Sequence, residues 1–299
     1  MLILLIIILI LLIIILLKKK NRTPTRQIGN TLSRYFGNFG LAMYYKKDFV
    51  FNEFSKDEFF YKDLPRFIPF RADIYQRLQE SGFKRSDISF VENSFWVVEN
   101  ERIESFWLIL KPYISKILDG VLKKNNLHLK TANPIIHFRC SDVPFIKNIH
   151  YHFVRYSFYK NSIDLLKKSC EFDTITILSC RRHNSNEKNS MSCRIYLDHL
   201  RIYLENLGYK IMIECNQELH DFAKLFYAPA VISSGSSFAF MSGFFGGGIF
   251  LSEGHFTEEK EPIVHCYDCG PWLKHGYSIL HRDVADYHDT EKMFKELMG

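Results

Sequence analysis

Three short stretches carry side chains suited to holding an anion. The first is His137-Phe138-Arg139-Cys140-Ser141-Asp142, which follows an apolar run. Alternate residues of an extended chain share a side, so His137 and Arg139 point together. An arginine at the tip of a buried strand is costly unless it meets an anion, and its planar fork suits a diphosphate. A structural pair with Asp142 is the competing explanation. The second stretch, Ser233-Ser234-Gly235-Ser236-Ser237-Phe238, puts a glycine and four hydroxyls where a helix opens. Backbone N–H groups there carry partial positive charge, and glycine lets the chain approach a ligand closely. A plain serine cap before a buried helix has the same composition. The third runs from Ser179 to His183. Its Arg181 and Arg182 either extend an anion site or form a solvated charged pair. Glu214 is a carboxylate for a ribose or a base, or a plain surface residue.

The elements that position these stretches follow from hydrophobic period. Ile135 to Cys140 reads as a buried strand, then a helix around Arg155 to Lys168, then the β-branched strand Thr174 to Leu178. Met191 to Leu207 has Tyr196, Leu200, Tyr203, Leu204 and Leu207 on one helical face, and Gly208 ends it. Tyr209 to Cys215 is a strand. Gln217 to Tyr227 is a helix capped by Asn216 and stopped before Pro229. Val231 to Ser233, Ser236 to Phe245 and Ile249 to Leu251 continue as strand, helix and strand. Repeated β-α units predict a parallel sheet with helices on both faces and a ligand site beyond the C-terminal strand ends. The loops after Cys140, Leu178, Cys215 and Ser233 are therefore expected to line one site.

Upstream, residues 41–130 read as a small, mainly helical subdomain. Ile103 to Leu122 has apolar residues at helical spacing, with Pro112 predicting a kink or two shorter helices. Residues 18–40 are mostly polar. Gly29, Gly37 and Gly40 interrupt any regular pattern, which suggests a stem. Residues 1–17 are apolar without a break, and Lys18, Lys19 and Lys20 follow. At 1.5 Å per residue a 17-residue helix reaches about 26 Å, enough for a thin bilayer. With no basic start and no small-residue cleavage site, an uncleaved single-pass anchor in the lipid bilayer is expected. The basic cluster after the span favours the cytoplasmic side for the rest of the chain.

Composition narrows the function classes. Of 299 residues, 47% are hydrophobic and 24% charged, which excludes large-scale disorder. The net charge of +6 is mild, and no basic stripe with interleaved aromatics appears, so no nucleic-acid partner is expected. Seven cysteines at irregular spacing argue against a disulfide framework and for mostly free, buried thiols. Cys266-x-x-Cys269 beside His265 lacks a second ligand pair, so no metal site is expected.

Taken together, His137-Phe138-Arg139 and Ile232-Ser233-Ser234-Gly235-Ser236-Ser237-Phe238, in this order within a β-α frame, resemble the fucosyltransferase-like superfamily of GT-B glycosyltransferases. That superfamily includes α1,2-, α1,6- and protein O-fucosyltransferases. The resemblance covers roughly residues 133–252. It implies a GT-B-like fold whose nucleotide-sugar-binding half spans 131–299, with residues 41–130 on the acceptor side. It further implies a GDP-sugar donor, usually GDP-fucose, a glycan or protein acceptor, inversion, and no cofactor or obligatory metal. On this resemblance Arg139 stabilises the leaving GDP, His137 supports the pocket, and Ser236, Ser237 and Phe238 contact phosphate or ribose. Ser234, Gly235, Arg181 and Glu214 complete the donor side. Cys140 stands where the α1,2/α1,6 pattern has a second arginine, while Asp142 keeps its place. Asp142, Glu214 and His183, in that order, are the candidate bases. The rival readings are a non-catalytic binding protein of the same fold and a transferase using another activated donor.

Overall fold

A computed structural model describes residues 28–52, 61–87, 101–140, 155–168, 170–179, 187–253, 263–266 and 273–274. The apolar segment 1–17, Asp142, Arg181, His183 and Cys269 lie outside these. Among the described residues no helix is long and apolar enough to cross a membrane.

The fold is α/β. In chain order come α1 (Ile28–Tyr44), β1 (Phe49–Val50), β2 (Phe67–Ile68), α2 (Ala72–Glu80) and α3 (Glu101–Lys124). Then follow β3 (Ile135–His137), α4 (Tyr156–Leu166), β4 (Thr174–Leu178), α5 (Glu187–Asn206) and β5 (Lys210–Glu214). The chain continues with α6 (Glu218–Tyr227), β6 (Ala230–Ser233), α7 (Ser237–Ala239, passing into a π-helical turn Phe240–Phe244) and β7 (Ile249–Glu253). β8 (Ile263–Cys266) and β9 (Leu273–Lys274) close the described chain. β1 and β2 form a two-stranded antiparallel ribbon. The main sheet has the order β5-β4-β3-β6-β7-β8-β9, parallel from β5 to β7 and antiparallel beyond.

The winding decides where a ligand can sit. From β3 the chain steps outward to β4 and β5, then returns to the other side of β3 for β6 and β7. The order reverses between β3 and β6, and a doubly wound sheet opens its crevice at such a point, beyond the carboxyl ends. Register aligns those ends, since His137 pairs with both Leu178 and Ser233.

Alternation along the strands divides two apolar layers. Ile135, Val231 and Phe250 join one core; Ile136, Ile232 and Leu251 join the other. Behind the second face lie α4, through Tyr156, Phe158 and Ile163, and α5, through Tyr196, Leu197 and Leu200. Covering the first are α1, α3, α6 and α7 with its π turn, rich in Phe36, Phe106, Trp107, Phe222, Phe244 and Phe245. The upstream helices therefore share one core with the sheet.

Four expectations need correction. The stem reading of residues 18–40 fails from Ile28 onward, because α1 is a buried helix. Its glycines mark close approach and do not break it. A Cβ on Gly40 would lie 2.4 Å from the Phe106 ring of α3. α3 runs unbroken through Pro112. Proline removes one intrahelical donor, but Phe106, Leu110, Ile114 and Leu118 on either side of it are all buried, and that packing outweighs the loss. Asn216 does not cap α6; Gln217 holds the N-cap position, without a side-chain bond. Finally, Cys140 and Cys193 form a disulfide, while the free Cys170 and Cys215 are exposed. The pair is 53 residues apart, so spacing along the chain gives no sign of it.

Candidate functional site

A cavity of about 180 Å³ opens at the switch point. It is lined by the end of β3 (His137, Arg139, Cys140), the end of β4 (Leu178, Ser179) and the turn before α7 (Ser236, Ser237, Phe238). Asn216, Glu218 and Asp221 of the α6 start, and Gly29 of α1, complete the wall. Pockets that enclose drug-sized ligands run to about 300–1,000 Å³, so this cavity has room for only part of a ligand of that size.

The two chemical stretches are knitted together by their backbones. On its β6 side the β3 ladder ends at His137, and Arg139 N–H donates to the Ser234 side chain, Oγ, at 3.2 Å. The same hydroxyl donates to the His137 carbonyl at 3.3 Å. Ser234 N–H points at that carbonyl too, at 3.4 Å. Ser234 is thus a clasp between the strands, and it is not among the lining residues. Gly235 turns the chain with φ of +80°, a conformation that favours glycine. Ser236 then caps α7, its Oγ accepting from Phe238 N–H at 3.2 Å.

His137 sits under the Phe238 ring, centroids 5.6 Å apart, and Phe222 meets the other ring edge-on. Burial, and then the Arg139 cation, push the imidazole down to about 3, so it is neutral at pH 7. Its Nδ1 is buried without a hydrogen-bond partner among the described residues. Arg139 therefore carries the positive charge of this pair.

The wall at the start of α6 is carboxylate-bearing, and neither Glu218 nor Asp221 was among the residues singled out from sequence. Asp221 is buried. Asn216 donates to it twice, from the backbone at 3.3 Å and from Nδ2 at 2.9 Å. Burial raises its carboxyl above the ordinary range, against the pull of these bonds. Glu218 lines the cavity from the first turn of α6. By contrast Glu214 is not a lining residue; it pairs with Lys224 and accepts from Asn216 Nδ2. Burial alone would raise its carboxyl, but the hydrogen bonds it accepts from Lys224 and from Asn216 outweigh this and hold it low.

Of the residues singled out from sequence, His137, Arg139, Ser236, Ser237 and Phe238 meet at the cavity, with Ser234 and Gly235 shaping the turn. Asp142 and Arg181 lie outside the described residues. The missed components are Gly29, Asn216, Glu218 and Asp221. An acidic first turn on a helix at a strand end is the one signal that points to Glu218 and Asp221. Comparison with protein-family models, curated proteins and solved structures returns no match for this chain.

Proposed function

We propose that the chain is a membrane-anchored glycosyltransferase of the fucosyltransferase-like, GT-B type. It takes fucose from GDP-fucose and passes it to a glycan or protein acceptor. The supporting observation is the meeting of Arg139, His137 and the Ser236–Phe238 turn in one cavity at the switch point. An acceptor oxygen attacks the sugar carbon C1 from the face opposite the diphosphate. The C1–O bond breaks, its electron pair stays on the β-phosphate, and the acceptor proton passes to a base, for which Asp142 is the first candidate. The configuration at C1 inverts. Arg139 neutralises the charge growing on the leaving diphosphate, the role in which fixed donors contribute most. The neutral His137 adds hydrogen-bonding capacity and no second charge. Transfer of labelled fucose to panels of glycan and peptide acceptors, read by mass spectrometry, tests the activity. Fucosylated product from wild type and none from Arg139→Ala supports it. Donor binding without transfer to any acceptor points to the non-catalytic binder instead.

A further inference from the structure

The three serines of the turn differ in where their protons go. Each hydroxyl has one proton and two lone pairs. Ser234 gives its proton to the His137 carbonyl and receives Arg139 N–H. Ser237 gives its proton to Asn30 Oδ1 on α1, at 2.6 Å. Ser236 receives Phe238 N–H, and its own proton has no acceptor among the described residues. Ser236 and Ser237 both line the cavity and are both buried. α1 is pressed against this turn at Gly29, where a Cβ would lie 2.4 Å from Phe238 N, which holds the Asn30 backbone beside Ser237.

A phosphate oxygen only accepts hydrogen bonds. A ribose or sugar hydroxyl can donate one. We propose that Ser236 is the phosphate-contacting hydroxyl. Ser237, its proton committed to Asn30, instead accepts from a ligand hydroxyl. Asn30 is then a positioning residue that makes Ser237 selective for the hydroxyl-bearing part of the ligand. This assignment rests on the donor-site reading above and adds a division of labour within it.

Titration calorimetry on the full chain in detergent, with pyrophosphate, GDP and GDP-fucose as probes, separates the roles. Ser236→Ala is expected to weaken all three probes about tenfold or more, as loss of a bond to a charged group does. Ser237→Ala is expected to leave pyrophosphate unchanged and to weaken GDP or GDP-fucose by a few-fold to about tenfold. Asn30→Ala frees the Ser237 proton, so it is expected to tighten pyrophosphate and to weaken GDP or GDP-fucose less than Ser237→Ala does, without itself touching the ligand. A single cooperative melting transition checks that each variant folds, with a lowered midpoint for Ser236→Ala from loss of the α7 cap. If Ser237→Ala weakens pyrophosphate as much as Ser236→Ala does, the division is wrong, though the donor site stands. If wild type binds none of the probes, the donor site and the division fall together.

Discussion

His137 shows at the residue scale how position sets chemistry. Two residues before Arg139, under Phe238, it is neutral in the folded chain with its pKa at about 3. An unfolded histidine titrates near 6.5. Between these values the unfolded state binds the extra proton, so acid favours unfolding. Stability is therefore whole above pH 6.5 and is lost progressively as pH falls toward 3. Denaturant unfolding at a series of pH values should show a shallower acid dependence for His137→Gln than for wild type. Equal dependence in both would mean that His137 is not held neutral. Donor affinity, for the same reason, should show no step from this imidazole between pH 6 and 8. The placement of His137 and Arg139 at one cavity was legible from their spacing, because side-chain alternation requires nothing beyond a strand. The ties of Asn216 to Asp221 and Glu214 were not, because they depend on how β5 meets α6.

At the element scale, α1 is the least expected part of the site. Gly29 touches the Ser237–Phe238 backbone and Gly40 touches α3, each within distances that exclude a side chain. In sequence a glycine at a contact and a glycine at a break look alike, which is why this helix was hidden while β4 could be read with its observed bounds. Gly29→Ala is expected to destabilise the chain by about 1–3 kcal/mol and to weaken GDP binding as the serine turn is displaced. Gly120→Ala in α3, where an added Cβ meets nothing within 4 Å, should stabilise by up to about 1 kcal/mol. Calorimetric melting distinguishes the two; similar shifts would refute the tight contact at Gly29. Truncation offers a larger contrast. Removing residues 1–27 spares α1, whereas removing 1–40 strips Leu32, Tyr35, Phe36 and Phe39 from the core. Each such side chain contributes about 1.5–3 kcal/mol on burial. Only the shorter truncation is expected to unfold cooperatively, and a cooperative transition from the longer one would show that α1 is dispensable.

For the whole molecule, the Cys140–Cys193 bridge joins the cavity rim to α5 and bears on where the chain works. Closing a loop of this length contributes roughly 4 kcal/mol. Such bonds persist in oxidising compartments. The lysines after residue 17 argue for the cytoplasm, but a bridge at the site argues for the exoplasmic side. In sealed vesicles the soluble part should be protected from added protease, and digestion without reductant should yield Cys140 and Cys193 in one linked peptide. Protease cleavage with both thiols alkylated would place the domain in the cytoplasm. The succession of strands and helices along the chain was legible as repeated β-α units, whereas the strand order in the sheet, this bridge and the packing of the upstream helices onto the sheet depend on contacts between distant segments. The most direct measurement is calorimetric titration of the full chain in detergent with GDP and GDP-fucose, for wild type and Arg139→Ala. The predicted result is binding by wild type, weakened at least about tenfold by the substitution at an unchanged melting temperature, since bonds to a charged group contribute about 1.5–3 kcal/mol. No binding by folded wild type, or equal binding by the variant, would contradict a donor site at the switch point.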